Sequence, residues 1–253
     1  MTAPKNIFKS RLKIGETQIG LWVAMGHPAA AESCGFAGFD WLVIDAEHGP
    51  NGLAEVLAQL RALRGSSHPV VRVRENNRGI IKQMLDVGAQ TLLIPMIESA
   101  EEARQAVRSM LYPPTGVRGV GASLVRASDF GNISNYLHTA NDEICVLLQV
   151  ESVRGIEALD EILRVEGVDG VFIGPADLAA DMGLIGNSEA PEVRTVVDKA
   201  LKDIKASGKA AGILTADLKL ALHYAEMGVE FLAVGSDVGV FTAGLRALRQ
   251  QFA

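Results

Sequence analysis

Residues 41–65, WLVIDAEHGPNGLAEVLAQLRALRG, decide the fold. They open on a short apolar run, Trp41–Glu47, and close on a helical pattern. In that pattern Leu53, Val56, Leu57, Leu60 and Leu63 share one face. Asn51 stands where an N-cap belongs, and Gly65 stops the helix. A short continuous apolar run is what a strand buried on both faces looks like, and such strands occur in parallel sheets covered by helices. The segment therefore reads as one strand–helix unit.

The unit recurs along the chain. Further apolar runs are Ile19–Met25, Pro69–Val73, Thr91–Met96, Cys145–Glu151, Gly170–Pro175, Ala211–Leu214 and Phe231–Ser236. They are rich in Val, Ile and Leu and bounded by Gly, Pro or Asp. Helical patterns lie between them. One is capped by Ser99, with Glu101 and Glu102 in its first turn. Others run through Ile156, Leu159, Ile162 and Leu163, through Leu218, Leu222 and Ala225, and from Val240 to Leu248. Eight such strands in 253 residues predict a single-domain α/β (β/α)8 TIM barrel over residues 1–253. A doubly wound sheet is the rival, but no Gly-x-Gly-x-x-Gly fingerprint follows the first strand. One connection is too long for a plain unit. Residues 113–143 form an insertion after strand four, expected to rise toward the helical side or the barrel mouth.

Composition removes other classes. The chain is 48% hydrophobic, too apolar for disorder. Its longest stretch without Asp, Glu, Lys or Arg, Thr17–Ala31, is broken by Gly26-His27-Pro28, so no membrane span is expected. Net charge is 24 − 30 = −6, which disfavours nucleic acid as a partner. Lys5, Lys9, Arg11 and Lys13 interrupt any signal-peptide core. Cys34 and Cys145 read as two buried thiols of a cytoplasmic protein. The 26 glycines suggest many tight strand–helix turns.

Active sites of this fold lie at the strand C-termini. Strand two ends in Asp45-Ala46-Glu47-His48, strand five in Gln149-Val150-Glu151, and strand six in Gly174-Pro175-Ala176-Asp177. Arg72 sits inside strand three. A charge in a barrel strand is costly without partners, so Arg72, Glu151, Asp177 and His48 are expected to converge. Glu151 and Asp177 offer hard oxygen ligands for Mg²⁺, Mn²⁺ or Co²⁺ and leave coordination positions open. Asp177 also fits a helix cap, and His48 also fits a surface histidine. Arg72 would put a fixed cation where an oxyanion develops. His48 is the natural general base, with Asp45 able to orient its ring. The lysines fall in helical patterns or, for Lys209, at the wrong end of strand seven. A Schiff-base aldolase is thus disfavoured and metal-assisted enolate chemistry favoured.

Residues 39–51, FDWLVIDAEHGPN, resemble the signature of the HpcH/HpaI aldolases, the class II pyruvate aldolases. QMLDVGAQTLLIPM (83–96), YPPTGVRGVGAS (112–123) and VEGVDGVFIGPADLAAD (165–181) agree, in the right order. The resemblance implies reversible cleavage of 4-hydroxy-2-keto acids to pyruvate and an aldehyde, with oxaloacetate decarboxylation as a side activity and a place in aromatic or sugar-acid catabolism. It implies that His48 acts through a metal-bound water in a dyad with Asp45. Arg72 would stabilise the enolate, and Glu151 and Asp177 would hold the metal. Gln149 and the backbone around Ala176 would bind the pyruvate part. Asp86, otherwise a surface residue at a helix C-terminus, would raise the basicity of the histidine. Trp22 and Leu214 would line the pocket, or simply pack in the core. The loop with Arg118 and Ser123 would meet the acceptor aldehyde. A homo-hexamer built as a trimer of dimers is implied, its last helix packed on a neighbour. A lyase for CoA thioesters, using the Arg118–Arg126 loop for the nucleotide, and a non-catalytic keto-acid-binding barrel are the alternatives.

Overall fold

A computed structural model describes residues 1–252. Eight parallel strands close into a barrel in sequence order: β1 (Gln18–Val23), β2 (Trp41–Asp45), β3 (His68–Arg72), β4 (Thr91–Ile94), β5 (Cys145–Val150), β6 (Gly170–Ile173), β7 (Ala210–Leu214) and β8 (Phe231–Ser236). Strand β1 pairs with both β2 and β8, which closes the sheet. The helices that matter below are α1 (Ile7–Lys13), α2 (Pro28–Phe36), α3 (Leu53–Ala62), α4 (Arg78–Asp86), α5 (Ala100–Met110), α6 (Tyr136–Glu143), α7 (Val153–Glu157), α8 (Leu159–Leu163), α9 (Pro175–Asp181), α10 (Pro191–Ala206), α11 (Leu218–Glu226) and α12 (Asp237–Gln250). No helix among the described residues is long and apolar enough to cross a membrane.

The all-apolar strands are explained by two cores. One, built on Leu42, Ile44, Val71, Leu92, Leu148 and Val171, fills the layer between strands and helices. The other lies inside the barrel and is built around five aromatic rings, those of Phe8, Trp22, Trp41, Phe172 and Phe231. Glycines make room for these rings. A Cβ on Gly20 would stand 2.2 Å from the Trp41 ring, and one on Gly212 would stand 2.1 Å from Phe231. These two glycines are therefore packing devices inside strands, not turn residues.

Helix α1 plugs the N-terminal end of the barrel. Phe8 and Leu12, four residues apart, are buried from one face of the helix. Phe8 stacks on His68 at 5.2 Å. The cap residue Asn6 is buried and bonded to Thr91 and Glu143.

Three local expectations are corrected. Helix α3 is capped by the Gly52 backbone, because the Asn51 amide instead donates to the Asp45 carbonyl at 2.7 Å. The single helix expected around Ile156–Leu163 is two, α7 and α8, broken at Ala158. Cys34 is only partly buried, although Cys145 is fully so, and both are free. Of the two courses expected for the insertion, it takes the helical side. The Val117 carbonyl accepts from Arg78 at 2.5 Å, Arg118 binds Asp86, and Arg126 donates to the Val87 carbonyl, all along α4.

Candidate active site

Strand register builds the centre of the site. Asp45 and Arg72 end adjacent strands and are paired in the sheet. The Arg72 guanidinium donates to both Asp45 oxygens, Nε to Oδ1 at 2.9 Å and Nη2 to Oδ2 at 2.7 Å. Its third nitrogen, Nη1, lies 2.9 Å from Glu47 Oε2. The Trp22 ring lies below, its centroid 5.3 Å from Arg72 Cζ. A cation fixed by two carboxylates and an aromatic face keeps one orientation without reorganising when charge develops near it.

Burial pushes the Asp45 carboxyl up, but the Arg72 bonds and charge, with the N–H groups of Glu47 and His48, outweigh this. Asp45 is held below the usual carboxylate range. These bonds occupy both of its oxygens. Asp45 was expected to orient the His48 ring, but here, among the described residues, no hydrogen bond or ion pair joins the carboxylate to that ring. Asp45 holds Arg72 and the His48 backbone. The His48 ring stands at the rim, 69% exposed, with Nε2 at 3.9 Å from Glu47 Oε2.

Strand β5 supplies the opposite wall. Gln149 and Glu151 are two residues apart, so both point into the mouth. The Gln149 amide donates to Glu151 Oε2. Glu151 Oε1 accepts from the Met96 N–H at 3.1 Å, and Met96 adopts a left-handed φ of 55° to present it. Burial pushes Glu151 up to about 7, aided by the negative charges of Asp177 and Glu47 and opposed by Gln149. Glu47 is also raised, by burial first and then by Asp45 and Asp177. Three carboxylates thus face one space, and Glu151 finds too little positive charge there. Gln149 Oε1 is buried without a partner.

Strand β6 ends under Glu151. A Cβ on Gly174 would stand 2.5 Å from Glu151 Oε2, so this position must be glycine for the carboxylate to pass. Gly174 is also the backbone cap of α9, with Pro175 at its start and Ala176 and Asp177 exposed in its first turn. Asp177 is therefore not the cap residue. Leu214 packs against the inner barrel core and, with Pro175 and Ala176, lines a mouth-side cavity of about 350 Å³.

The structure thus brings together Trp22, Asp45, Arg72, Gln149, Glu151 and Gly174–Asp177, with His48 at the rim. Asp86, Arg118 and Ser123 do not join them within one chain. Asp86 ends α4 and accepts from the fully buried Arg118 at 2.8 Å. Ser123 is exposed on the insertion. Glu47 was not singled out in the sequence. Its signal was the spacing Asp45-x-Glu47, which directs both carboxylates toward the same neighbouring strand. Lys209, as expected, faces the other end, donating to the Val165 and Val168 carbonyls.

Comparison with known proteins gives the class: the chain belongs to the HpcH/HpaI aldolase/citrate lyase family, whose model matches residues 18–243. It is a carbon–carbon lyase of the aldolase type, which removes the non-catalytic reading. A hydroxypyruvate/pyruvate aldolase of Agrobacterium fabrum is 53% identical over 253 residues, covering 100% of this chain and 95% of the relative. A 4-hydroxy-2-oxo-heptane-1,7-dioate aldolase of Salmonella heidelberg is 53% identical over 249 residues, covering 98% of this chain and 95% of that one. Among solved structures, an HpcH/HpaI aldolase/citrate lyase family protein of Burkholderia cenocepacia superposes with a TM-score of 0.94 at 41% identity, covering 98% of this chain and 100% of that one.

Proposed function

We propose that this aldolase reversibly cleaves 4-hydroxy-2-keto acids to pyruvate, or a related 2-keto acid such as hydroxypyruvate, and an aldehyde. The observation that carries this is the Arg72 guanidinium, locked by Asp45 and Glu47 across the mouth from Glu151 and Asp177. Breaking the C3–C4 bond of such a substrate leaves an electron pair that settles as an enolate oxygen on C2. Arg72 stabilises that oxygen. His48, exposed at the rim, takes the proton of the C4 hydroxyl in cleavage and returns a proton to C3 of the donor. Gln149, with one buried acceptor free, and the α9 N-terminus at Ala176 orient the keto acid. Trp22 and Leu214 close its apolar side. The same enolate makes oxaloacetate decarboxylation a side activity.

The residues fit a divalent cation of the Mg²⁺, Mn²⁺ or Co²⁺ type. Glu151 and Asp177 are hard oxygen donors, and the carboxyls of Glu151 and Glu47, raised by burial first and then by neighbouring carboxylates including Asp177, would be relieved by a cation between them. Among the described residues no group of three or more His, Cys, Asp or Glu has metal-binding geometry, so the remaining coordination positions fall to water and substrate. Glu151 and Asp177 would hold the ion, which when bound supplies Lewis-acid charge next to the developing enolate.

The CoA-thioester alternative has less support, because Arg118 and Arg126 lie against α4 and leave the mouth without a basic patch. A homo-oligomer, a hexamer in the fullest form, is supported by α12. Phe241, Leu245 and Leu248 form an exposed apolar stripe at helical spacing, with exposed Phe252 just past the helix end, and Asp237 is the only buried residue of the helix. The role implied for Asp86 would require such an assembly to bring it to a neighbour's mouth. Aldol formation from pyruvate, Mn²⁺ and a panel of small aldehydes tests the activity. Arg72→Ala should lower kcat by at least about a hundredfold. Wild-type turnover in that variant sinks the enolate role, and full turnover in excess chelator sinks the metal.

A further inference from the structure

We propose that Asn51 and Gln59 are positioning residues for His48, joined in a buried amide relay; this rests on the reading above in which His48 moves the proton. The His48 ring stands exposed at the rim, with only a 3.9 Å approach to Glu47. Its place is therefore set by the turn of backbone that carries it.

That turn is tied at both ends to Asp45. At its start, Asp45 Oδ1 accepts from the N–H groups of Glu47 and His48, at 3.0 and 3.3 Å. At its end the Asn51 side chain folds back, and Nδ2 donates to the Asp45 carbonyl at 2.7 Å. The Asn51 N–H donates to the Gly49 carbonyl at 2.8 Å. A Cβ on Gly49 would stand 2.5 Å from the Asp45 carbonyl oxygen and 2.8 Å from Asn51 Nδ2, so the turn is wound tightly on this bond. His48 and Pro50 are exposed, whereas Asn51 is buried and anchors them.

An asparagine amide can face a neighbour with either end, and only its nitrogen can donate to a carbonyl. Gln59 selects that end. Its Nε2 donates to Asn51 Oδ1 at 2.6 Å, which leaves Asn51 Nδ2 for Asp45. Gln59 is oriented in turn by the Glu55 carbonyl, which accepts from the same nitrogen at 3.2 Å. Donors thus point one way, from α3 to the turn. Gln59 is fully buried in α3 beside Leu60, and its Oε1 has no partner. An unpaired buried oxygen is a cost that an apolar side chain would not carry, so packing does not account for this glutamine.

Two activities measured with Mn²⁺ test the relay: cleavage of 4-hydroxy-2-oxoheptane-1,7-dioate and decarboxylation of oxaloacetate. Each breaks a C3–C4 bond and leaves the electron pair on an enolate oxygen at C2. Cleavage also needs a base for the C4 hydroxyl proton. Decarboxylation releases CO₂ without one, and water can protonate the enolate at C3. Gln59→Met and Asn51→Ala should each lower kcat for cleavage by about tenfold or more, with KM and decarboxylation within about twofold of wild type. Gln59→Met is close to isosteric and adds no charge, so it keeps the test open if Asn51→Ala folds poorly. Equal losses in both activities, or no loss in either, overturn the relay. His48→Ala separates the proposal from its basis. Wild-type cleavage in that variant overturns the base assignment, whereas a loss there without one in Gln59→Met and Asn51→Ala overturns the relay alone.

Discussion

Gly174→Ala isolates the placement of one carboxylate. Gly174 has φ −95° and ψ 96°, which alanine adopts without strain. The added Cβ would stand 2.5 Å from Glu151 Oε2, 2.8 Å from its Cβ and 3.3 Å from its Cδ. Ordinary contact needs roughly 3.5 Å, so the carboxylate must retreat by about 1 Å. It cannot do so freely, because Gln149 and the Met96 N–H grip it from two sides. Overpacking of this kind costs about 1–3 kcal/mol of stability. A misplacement of about 1 Å in a reacting constellation lowers the rate by roughly a hundredfold. Divalent-ion affinity should fall as well, because Glu151 would no longer share a site with Asp177. The assay is aldol formation with Mn²⁺ at saturating pyruvate, beside a Mn²⁺ titration followed by electron paramagnetic resonance. Turnover within about twofold of wild type, with unchanged ion affinity, would refute the reasoning that Glu151 is held by close packing on Gly174.

Three further outcomes follow from the same geometry. Asp45→Asn removes one partner of a buried pair, with Asp45 2% and Arg72 7% exposed; a loss of about 3 kcal/mol in urea denaturation is expected. A loss under about 1 kcal/mol would mean that Glu47 alone holds Arg72. Glu151 is raised from 4.5 to about 7, so between those values the folded metal-free protein keeps a proton that the unfolded chain releases. Stability should therefore be greatest below that window and fall by about 3 kcal/mol across it, and Glu151→Gln should flatten the profile. Parallel profiles for the two proteins would dismiss the shift. Leu245→Glu puts a charge in the α12 stripe and should drive the sedimenting species to smaller mass; a wild-type chain that already sediments as a monomer removes the assembly.

The barrel was legible because its strands are covered on both faces. Trp41–Asp45 and Cys145–Val150 are buried at every position, and a continuous apolar run is the sequence trace of that. The plug was not legible. Helix α1 shows only Phe8 and Leu12 as apolar residues of its buried face, too few for periodicity to stand out among lysines and arginines. At the site, strand position located Arg72, Gln149 and Glu151, since a polar residue inside an apolar run must face a polar space. Side-chain direction was less accessible. Asp45 and His48 lie close in sequence, yet a turn and two backbone N–H groups separate the carboxylate from the ring. The resemblance alone put Arg118 and Ser123 at the acceptor, because the length of a long connection does not say which side of a barrel it follows.

The pairing of Asp45 with Arg72 on neighbouring strands has a consequence for fidelity. Their separation is set by sheet spacing, about 4.8 Å, and not by any loop. The half of the site that handles the keto acid therefore keeps its geometry as long as the barrel persists. The neighbouring mouth-side cavity is bounded by connections instead, such as Thr215–Asp217 after β7 and Ser188–Glu189 before α10. On the proposed function, sequence drift in those connections would alter which aldehyde is accepted while the Asp45–Arg72 half stays the same. On that reading, a change of acceptor would ask nothing of the eight strands.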